Sequence, residues 1–354
     1  MTTEPDAPGK DAAPLPRERI AVVVNGNAKS VTDEVISTLD QILLGGDLFV
    51  SRKLEDAEDI ARTLVNRGYG TVLTGGGDGT FTVMVTEVVR EAERQGRPVP
   101  RFGLLKLGTG NALAWVAGAS RAKGRGLAVD IQRLREDAGS RSMRLVDVEG
   151  YLAPFAGFGV DAVVLTDYAD VKAMLGKTML RRYAAGGLSY ALASVTRSIP
   201  SYVVRPVPHC RVINRGAEAF RIGAKAGLMG QPIPTGETIY EGPARIVGLA
   251  TIPYYGFGFR MFPFADERPD RMQLRVSTIS SLGFVRNFPA IWRGEYHDPA
   301  VVFDYLVDAV EIEMDPPTVF QIGGDPQGER SRLSARVSRS PIQLVDFYGP
   351  PSAD

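Results

Sequence analysis

Residues 20–25 read IAVVVN, five apolar side chains in succession and then a polar stop. A strand with one face in water alternates polar and apolar residues, so an unbroken apolar run has to be covered on both faces. That requires helices above and below a sheet, and the sequence that follows supplies them. Residues 31–44 place Val31, Val35, Thr38, Leu39 and Ile42 at helical spacing, and DLFVSRKL gives a second short strand. Residues 55–70 put Ala57, Ile60, Ala61, Leu64 and Val65 on one helical face, with Asp56 and Glu58 near its start and Gly68 at its end, as dipole and capping preferences require. TVLT is a third strand, and FTVMVTEVVREAERQG is a helix with Phe81, Val85, Val88 and Val89 on one face. RFGLLKL is a fourth strand, and GTGNALAW leads into another helix. The alternation predicts an α/β unit with a mostly parallel sheet.

Ligands of such sheets bind beyond the carboxyl ends of the strands. Three polar, glycine-bearing loops fall there: NGNAKS (25–30), GGGDGT (75–80) and LGTGN (107–111). None is a nucleotide P-loop, because no lysine follows the glycines, and none is a dinucleotide fingerprint, because Thr80 and Leu113 stand where its last glycine belongs. What remains is a flexible backbone opening a helix, whose N–H groups receive phosphate oxygens. The missing Cβ atoms of Gly75, Gly76 and Gly77 are expected to let a phosphate approach, with Thr80 donating its hydroxyl. Asp78 is the oddity. A carboxylate beside a polyanion is repulsive unless it binds Mg²⁺ or takes a proton from an attacking alcohol; taken alone, it reads equally well as the N-cap of the helix that follows.

Lys+Arg 41 against Asp+Glu 41 leaves no net charge, which argues against a general nucleic-acid binder. One cysteine, Cys210, excludes a disulfide framework, and with only His209 and His297 beside it no Cys/His metal site is available. Acid–base work therefore falls to carboxylates. Residues 1–17 are rich in Pro, Ala and charge and are predicted to be a disordered tail rather than a signal peptide, and no apolar stretch is long enough to span a bilayer. After about residue 200 the chain changes to short alternating segments, SYVVRPVPHCRVI, AFRIGA, ARIVGLATI, RMQLRVSTI, AVEIEM and TVFQIG, separated by Gly/Pro turns. That is β-sandwich composition. Helices are expected at 160–174, 186–198 and near 281–293. The apolar stretch IPYYGFGFRMFPF suits an acyl chain, though such a stretch is more often core.

NGNAKS, TGGGDGT and LGTGNALA together resemble the nucleotide-binding motifs of the diacylglycerol kinase catalytic-domain family, which includes bacterial lipid kinases and the sphingosine and ceramide kinases. GFGVDA (157–162) and FPFADERPDRMQLRV (262–276) resemble two further family stretches in the right order. The resemblance implies a Rossmann-like ATP domain (18–140) followed by a β-sandwich lipid-binding domain (141–350), and an ATP- and Mg²⁺-dependent transfer of the γ-phosphoryl group to a lipid hydroxyl. It implies that Asn25, Asn27, Lys29, Ser51, Gly75, Gly76, Gly77, Gly79, Thr80, Thr109 and Asn111 hold the nucleotide, and that Asp78 binds Mg²⁺ or deprotonates the acceptor. Asp161 corresponds to a lipid head-group contact, and Glu267, Asp270 and the carbonyl of Met272 to a structural Mg²⁺ site, although ERPDRM also reads as a polar β-turn. Two departures stand out. Gly26 replaces a frequent proline, and in QIGGDPQGER, where the family carries D-G-E, Gly323 replaces the aspartate and Asp325 the glutamate, leaving Asp325 as the second catalytic candidate. The expected setting is cytoplasmic with peripheral contact at a membrane surface, no nucleic-acid partner, and a homodimer left open. Arg181 and Arg182, near Lys172 and Lys177, either meet anionic head groups or form a solvated face. The alternatives are a kinase of a soluble acceptor such as NAD, and a nucleotide-binding regulator without catalysis.

Overall fold

The computed structural model describes residues 19–28, 30–43, 47–108, 110–120, 126–136, 138–159 and 207–348. The chain divides into two compact units, residues 1–143 with 340–354, and residues 144–339.

The first unit follows the predicted alternation: β1 (Ile20–Asn25), α1 (Asp33–Leu43), β2 (Leu48–Ser51), α2 (Leu54–Arg67), β3 (Thr71–Gly76), α3 (Asp78–Gln95), β4 (Arg101–Lys106), α4 (Ala112–Ala117), α5 (Gly126–Arg135) and β5 (Ser140–Met143). The sheet runs β2-β1-β3-β4, all parallel, and then continues through the C-terminal strand Ile342–Val345 to β5. The apolar residues of β1 are buried throughout, as an unbroken run requires. The ends of α2 are set by local chemistry. Asp56 Oδ2 accepts from the amides of Arg52 and Lys53 at 2.7 and 2.9 Å, which holds its carboxyl below the ordinary range. Gly68 closes the helix in the left-handed conformation at φ 66°, where a side chain would be strained. Register then aligns the carboxyl ends of the strands: Asn25 lies opposite Ser51, Val24 opposite Gly75, and Gly76 opposite Lys106.

The second unit is antiparallel: β6 (Val146–Val148), β7 (Tyr151–Ala153), β8 (Phe155–Gly159), β9 (His209–Asn214), β10 (Ala219–Ile222), β11 (Leu228–Ile233), β12 (Thr238–Pro243), β13 (Ile246–Ala250), β14 (Met272–Ser277), α6 (Ser281–Trp292), β15 (Val302–Val307), β16 (Ala309–Ile322) and β17 (Asp325–Val337). One hydrogen-bonded path runs β11-β10-β15-β14-β13-β8-β16-β17-β6-β7, with β9 and β12 branching from β16. AVEIEM and TVFQIG, two segments by sequence, are one long strand. β16 pairs with β9 over Val310–Asp315 and with β8 over Phe320–Ile322, changing partner at an irregularity between Glu313 and Thr318. Apolar residues of these strands form a large core that includes Phe158, Val247, Leu274, Ile312 and Phe320, and Ile222, Leu306 and Phe264 form a smaller cluster beside β10 and β15. Inside β14 and β15, Arg275 is held by Asp304 through Nε and Nη2 at 2.7 and 2.8 Å, and Gln273 donates to the same carboxylate at 2.7 Å. The third helix expected in this half is α6; the two expected at 160–174 and 186–198 lie outside the described residues.

The expected division at residue 140 is corrected in one respect. The last strand, β18 (Ile342–Val345), belongs to the first unit: it runs parallel to β4 and antiparallel to β5. The edge of β4 would otherwise present unpaired amides and carbonyls. Truncation after Arg339 is therefore expected to leave that edge and β5 open, with loss of the cooperative melting transition and aggregation on expression. A truncated chain that melts at the full-length temperature would show the strand to be dispensable.

Candidate functional site

The three glycine-bearing loops of the first unit are joined by specific bonds at the carboxyl edge of its sheet. In the first, Asn25 Oδ1 accepts from the Asn27 amide at 2.9 Å, an Asx-type turn, and Asn25 Nδ2 donates to Thr80 Oγ1 at 3.3 Å. Asn27 Nδ2 donates to Arg52 O at 2.6 Å, and the Gly26 amide donates to Ser51 O at 2.8 Å. Proline at 26 would lack that donor, which gives the departure from the family form a local reason. Ser51 donates its hydroxyl to Lys53 O at 3.2 Å.

The glycines of β3 and its turn have different reasons to be glycine. A Cβ on Gly75 would stand 2.8 Å from Val24 Cγ1 and 2.9 Å from Leu107 Cδ1, and one on Gly76 2.3 Å from Thr80 Oγ1. At these two positions the vacant volume is filled by the protein, so the expectation that all three missing Cβ atoms admit a phosphate is corrected. Only Gly77 has open space: the nearest atom to its Cβ would be Gly108 Cα at 4.0 Å. Gly108 is as tight as Gly76 but against backbone, since its Cβ would meet Gly77 Cα at 2.3 Å and Gly76 O at 2.5 Å. Two backbones pass here at a distance no side chain permits.

Asp78 is not the cap of its own helix. Gly77 holds the N-cap position of α3 and offers no side chain, while Asp78 is the first helical residue. Its carboxylate crosses to the next loop. Oδ2 accepts from the Ala112 amide at 2.8 Å and Oδ1 from the Leu113 amide at 3.0 Å, the two N–H groups that open α4. Asp78 is buried, 7% exposed. Asn111 braces the same loop: its side chain accepts from the Gly108 amide at 3.1 Å and donates to Gly108 O at 2.5 Å, and its backbone is left-handed at φ 50°. With both polar atoms of its side chain engaged, Asn111 shapes the loop.

Of the nucleotide set, Asn25, Asn27, Ser51, Gly75, Gly76, Gly77, Gly79, Thr80 and Asn111 thus lie on or beside one bonded constellation. Lys29, Thr109 and Asp161, and with them Lys172, Lys177, Arg181 and Arg182, lie outside the described residues. Gly108 was missed as a site residue, and the signal for it was present: a glycine directly after a buried strand, opposite a second glycine turn.

In the second unit, QIGGDPQG is not a loop but a hairpin. Ile322 pairs with Asp325 across Gly323 and Gly324, both at positive φ (57° and 88°), the geometry of a tight type I′ turn. Asp325 opens β17 with its side chain reaching water, yet the protein packed around it pushes its carboxyl above the ordinary range. The implied structural cation site does not fit a metal ion. Residues 268–271 form a β-turn in which the Arg271 amide donates to Arg268 O at 3.1 Å, with Pro269 second. Arg271 Nη1 lies 2.9 Å from Asp270 Oδ2 and 3.9 Å from Asp308 Oδ2, so the cation beside Asp270 is a side chain. Met272 is buried at the start of β14, Glu267 sits in the preceding turn, and no group of three His, Cys, Asp or Glu residues suited to a metal occurs among the described residues.

The remaining reactive groups are structural. Cys210 is buried and its thiol is pushed up to about 12 by burial. His297 stacks on Phe264, and burial, reinforced by Arg275, lowers its pKa. Tyr255, Phe259, Met261, Phe262 and Phe264 of the apolar stretch are buried, with the rings of Phe259 and Phe262 against Tyr255, which makes them core.

The two-amide grip on Asp78 has a measurable consequence. Asparagine offers one acceptor where the site needs two, and its NH₂ would confront an amide donor. Asp78→Asn is expected to destabilise the protein by about 1–3 kcal/mol in denaturant unfolding, the cost of an unmet buried donor. Unchanged stability would show that the carboxylate is not what holds the loops together.

Residues 19–141 match the family described as the diacylglycerol kinase catalytic domain. The chain is 28% identical over 188 residues to a "Probable lipid kinase YegS-like" of Pseudomonas aeruginosa, covering 52% of this chain and 55% of that protein. It is 28% identical over 183 residues to another of the same description from Xanthomonas oryzae pv. oryzae, covering 50% and 54%. It therefore spans about half the length of the curated relatives it matches. A solved diacylglycerol kinase structure from Bacillus anthracis str. Sterne shares the fold over 94% of this chain and 97% of that one, with a TM-score of 0.60 at 12% identity. Over residues 19–141, then, the chain is similar to the diacylglycerol kinase catalytic domain, and the rest of it shares the fold of the solved neighbour.

Proposed function

We propose that the protein is an ATP-dependent kinase that transfers the γ-phosphoryl group to a hydroxyl of a lipid such as diacylglycerol, a sphingoid base or ceramide. The observation that carries this reading is the bonded trio of loops with one open glycine. Gly77 precedes an 18-residue helix that opens without a side-chain cap, which leaves room for a phosphate beside its first amides. Phosphoryl transfer has a loose transition state with charge spread over the γ-oxygens, so it asks for positioning and charge rather than for a nucleophile. Mg²⁺ bound with ATP supplies neutralisation of that charge. The chain's part is to hold the phosphates: Asn25 fixes Thr80, Thr80 fills the space over Gly76, and Asp78 clamps the third loop to the second.

Asp78 is then chiefly a positioning residue, holding the third loop through its two amide bonds. Asp325 is the proposed general base. A carboxyl raised toward neutrality and open to water accepts an alcohol proton better than an ordinary one. The second unit takes the acceptor, and contact with a membrane surface from the cytoplasm follows from a lipid acceptor. No helix among the described residues is long and apolar enough to cross a membrane.

Gly77→Ala separates this reading from a plain tight turn. Its backbone, φ −94° and ψ −173°, suits alanine, and its Cβ meets no atom closer than 4.0 Å, so stability is expected to stay at the wild-type value. ATP affinity, by calorimetry, is expected to fall by at least about tenfold, because the methyl enters the space given to phosphate. Wild-type affinity in Gly77→Ala would remove the cradle.

Asp325→Ala is expected to keep ATP binding and lose turnover by about 10²-fold or more, assayed with labelled ATP against lipid alcohols in micelles and against NAD. Turnover with NAD alone would move the acceptor to a soluble compound. The pH sign can be checked as well. A carboxyl raised in the fold contributes stability that is present below the ordinary value near 4 and is lost as pH rises through its folded value. The melting temperature of Asp325→Asn should thus gain on wild type as pH is raised through that window. A difference independent of pH would mean that the carboxyl is not perturbed.

A further inference from the structure

At one end of the second unit's sheet, a cavity of about 750 Å³ opens where the β6–β7 turn, the start of β16, the end of β17 and the 268–271 turn meet. Its wall carries five arginines, Arg144, Arg215, Arg271, Arg336 and Arg339, and four acids, Asp147, Glu149, Asp270 and Asp308. We propose that this cavity binds a phosphate monoester through Arg144, Arg336 and Arg339, at a site separate from the nucleotide loops and beyond the kinase reading.

The partners of each charge make the argument. Arg271 lies between Asp270 and Asp308, at 2.9 and 3.9 Å. Glu149 is taken by Arg330 at 2.8 Å, and Arg215 by Glu311 at 3.4 Å. Those groups answer one another. Arg144 does not meet an acid: its guanidinium donates to the carbonyls of Ser338, at 2.5 Å, and Arg339, which fixes its position while its charge stays unneutralised. Arg336 and Arg339 form no ion pair with any described residue. Three guanidinium groups outside any ion pair among the described residues thus gather where β17 ends against the segment leading into β6. Their fork geometry suits phosphate oxygens. Of the four acids in the wall, Asp147 lies directly across the ladder from Arg336, where its Oδ1 accepts from the Gly150 amide at 2.9 Å. It weakens the site without closing it.

Two sources share the chemistry, a free phosphorylated metabolite and the phosphate of a lipid head group. Full-length protein is titrated by calorimetry with inorganic phosphate and glycerol 3-phosphate, and by sedimentation with phosphatidylcholine vesicles with and without phosphatidic acid. Saturable binding of the soluble probes assigns a metabolite, and binding only to phosphatidic acid vesicles assigns a head group. The double variant Arg336→Ala/Arg339→Ala, whose side chains support nothing else, is expected to keep its melting temperature and weaken binding about tenfold or more. Asp147→Asn, which keeps the acceptor for Gly150, is expected to tighten binding. Gly77→Ala should leave binding unchanged, which separates this site from the nucleotide loops, and no turnover is read, so failure of the kinase reading leaves the test intact. No saturable binding of either probe class, an unaltered affinity in the double variant, or no gain in Asp147→Asn would overturn the proposal.

Discussion

The carboxylate of Asp78 is the constraint on which the first unit's working edge depends. It is buried, and both of its oxygens receive the amides that open α4. A buried carboxylate is tolerable only when its charge is met, and here two N–H groups and the positive end of a short helix meet it. The bond has a geometric result. It draws the β4 loop onto the start of α3 until Gly108 lies against the backbone of Gly76 and Gly77, a distance that excludes any Cβ at 108. One aspartate and one glycine, in successive glycine-bearing loops, thus depend on each other.

This explains why the glycine motif was legible while its internal logic was not. Strand, turn and helix could be placed from apolar runs and 3.6-residue spacing, and the loops from their position after the strands. Which glycine faces a ligand and which faces the protein depends on neighbours far away in sequence, Val24 and Leu107 for Gly75 and Gly77 for Gly108. The same limit hid the role of Asp78: an acid at the start of a helix signals a local cap, and nothing near residue 78 announces that its partners are at 112 and 113.

The second unit was harder to read for a different reason. β17 carries thirteen residues, of which only Leu333, Ala335 and Val337 are buried, so most of it shows no alternation. It is a strand because the long β16 offers it a ladder, not because its own pattern demands one. β18 is four residues long and joins a sheet that starts more than three hundred residues earlier, a pairing that no local signal encodes. ERPDRM, by contrast, was readable as a turn from Pro269 alone, and its turn geometry leaves Arg271 to neutralise Asp270.

The departure at Gly323 and Asp325 can now be weighed as backbone chemistry. A type I′ turn needs positive φ at both central residues, and Asp-Gly is among the pairs that adopt it most readily. Gly323 at φ 57° sits in the left-handed region that aspartate enters more easily than most residues, and Gly324 at 88° supplies the glycine that must follow. The family's D-G-E would therefore lie on this hairpin without changing its turn. The backbone does not require glycine at 323, and an acid restored there would sit beside Asp325, whose carboxyl burial already raises, and would raise it further.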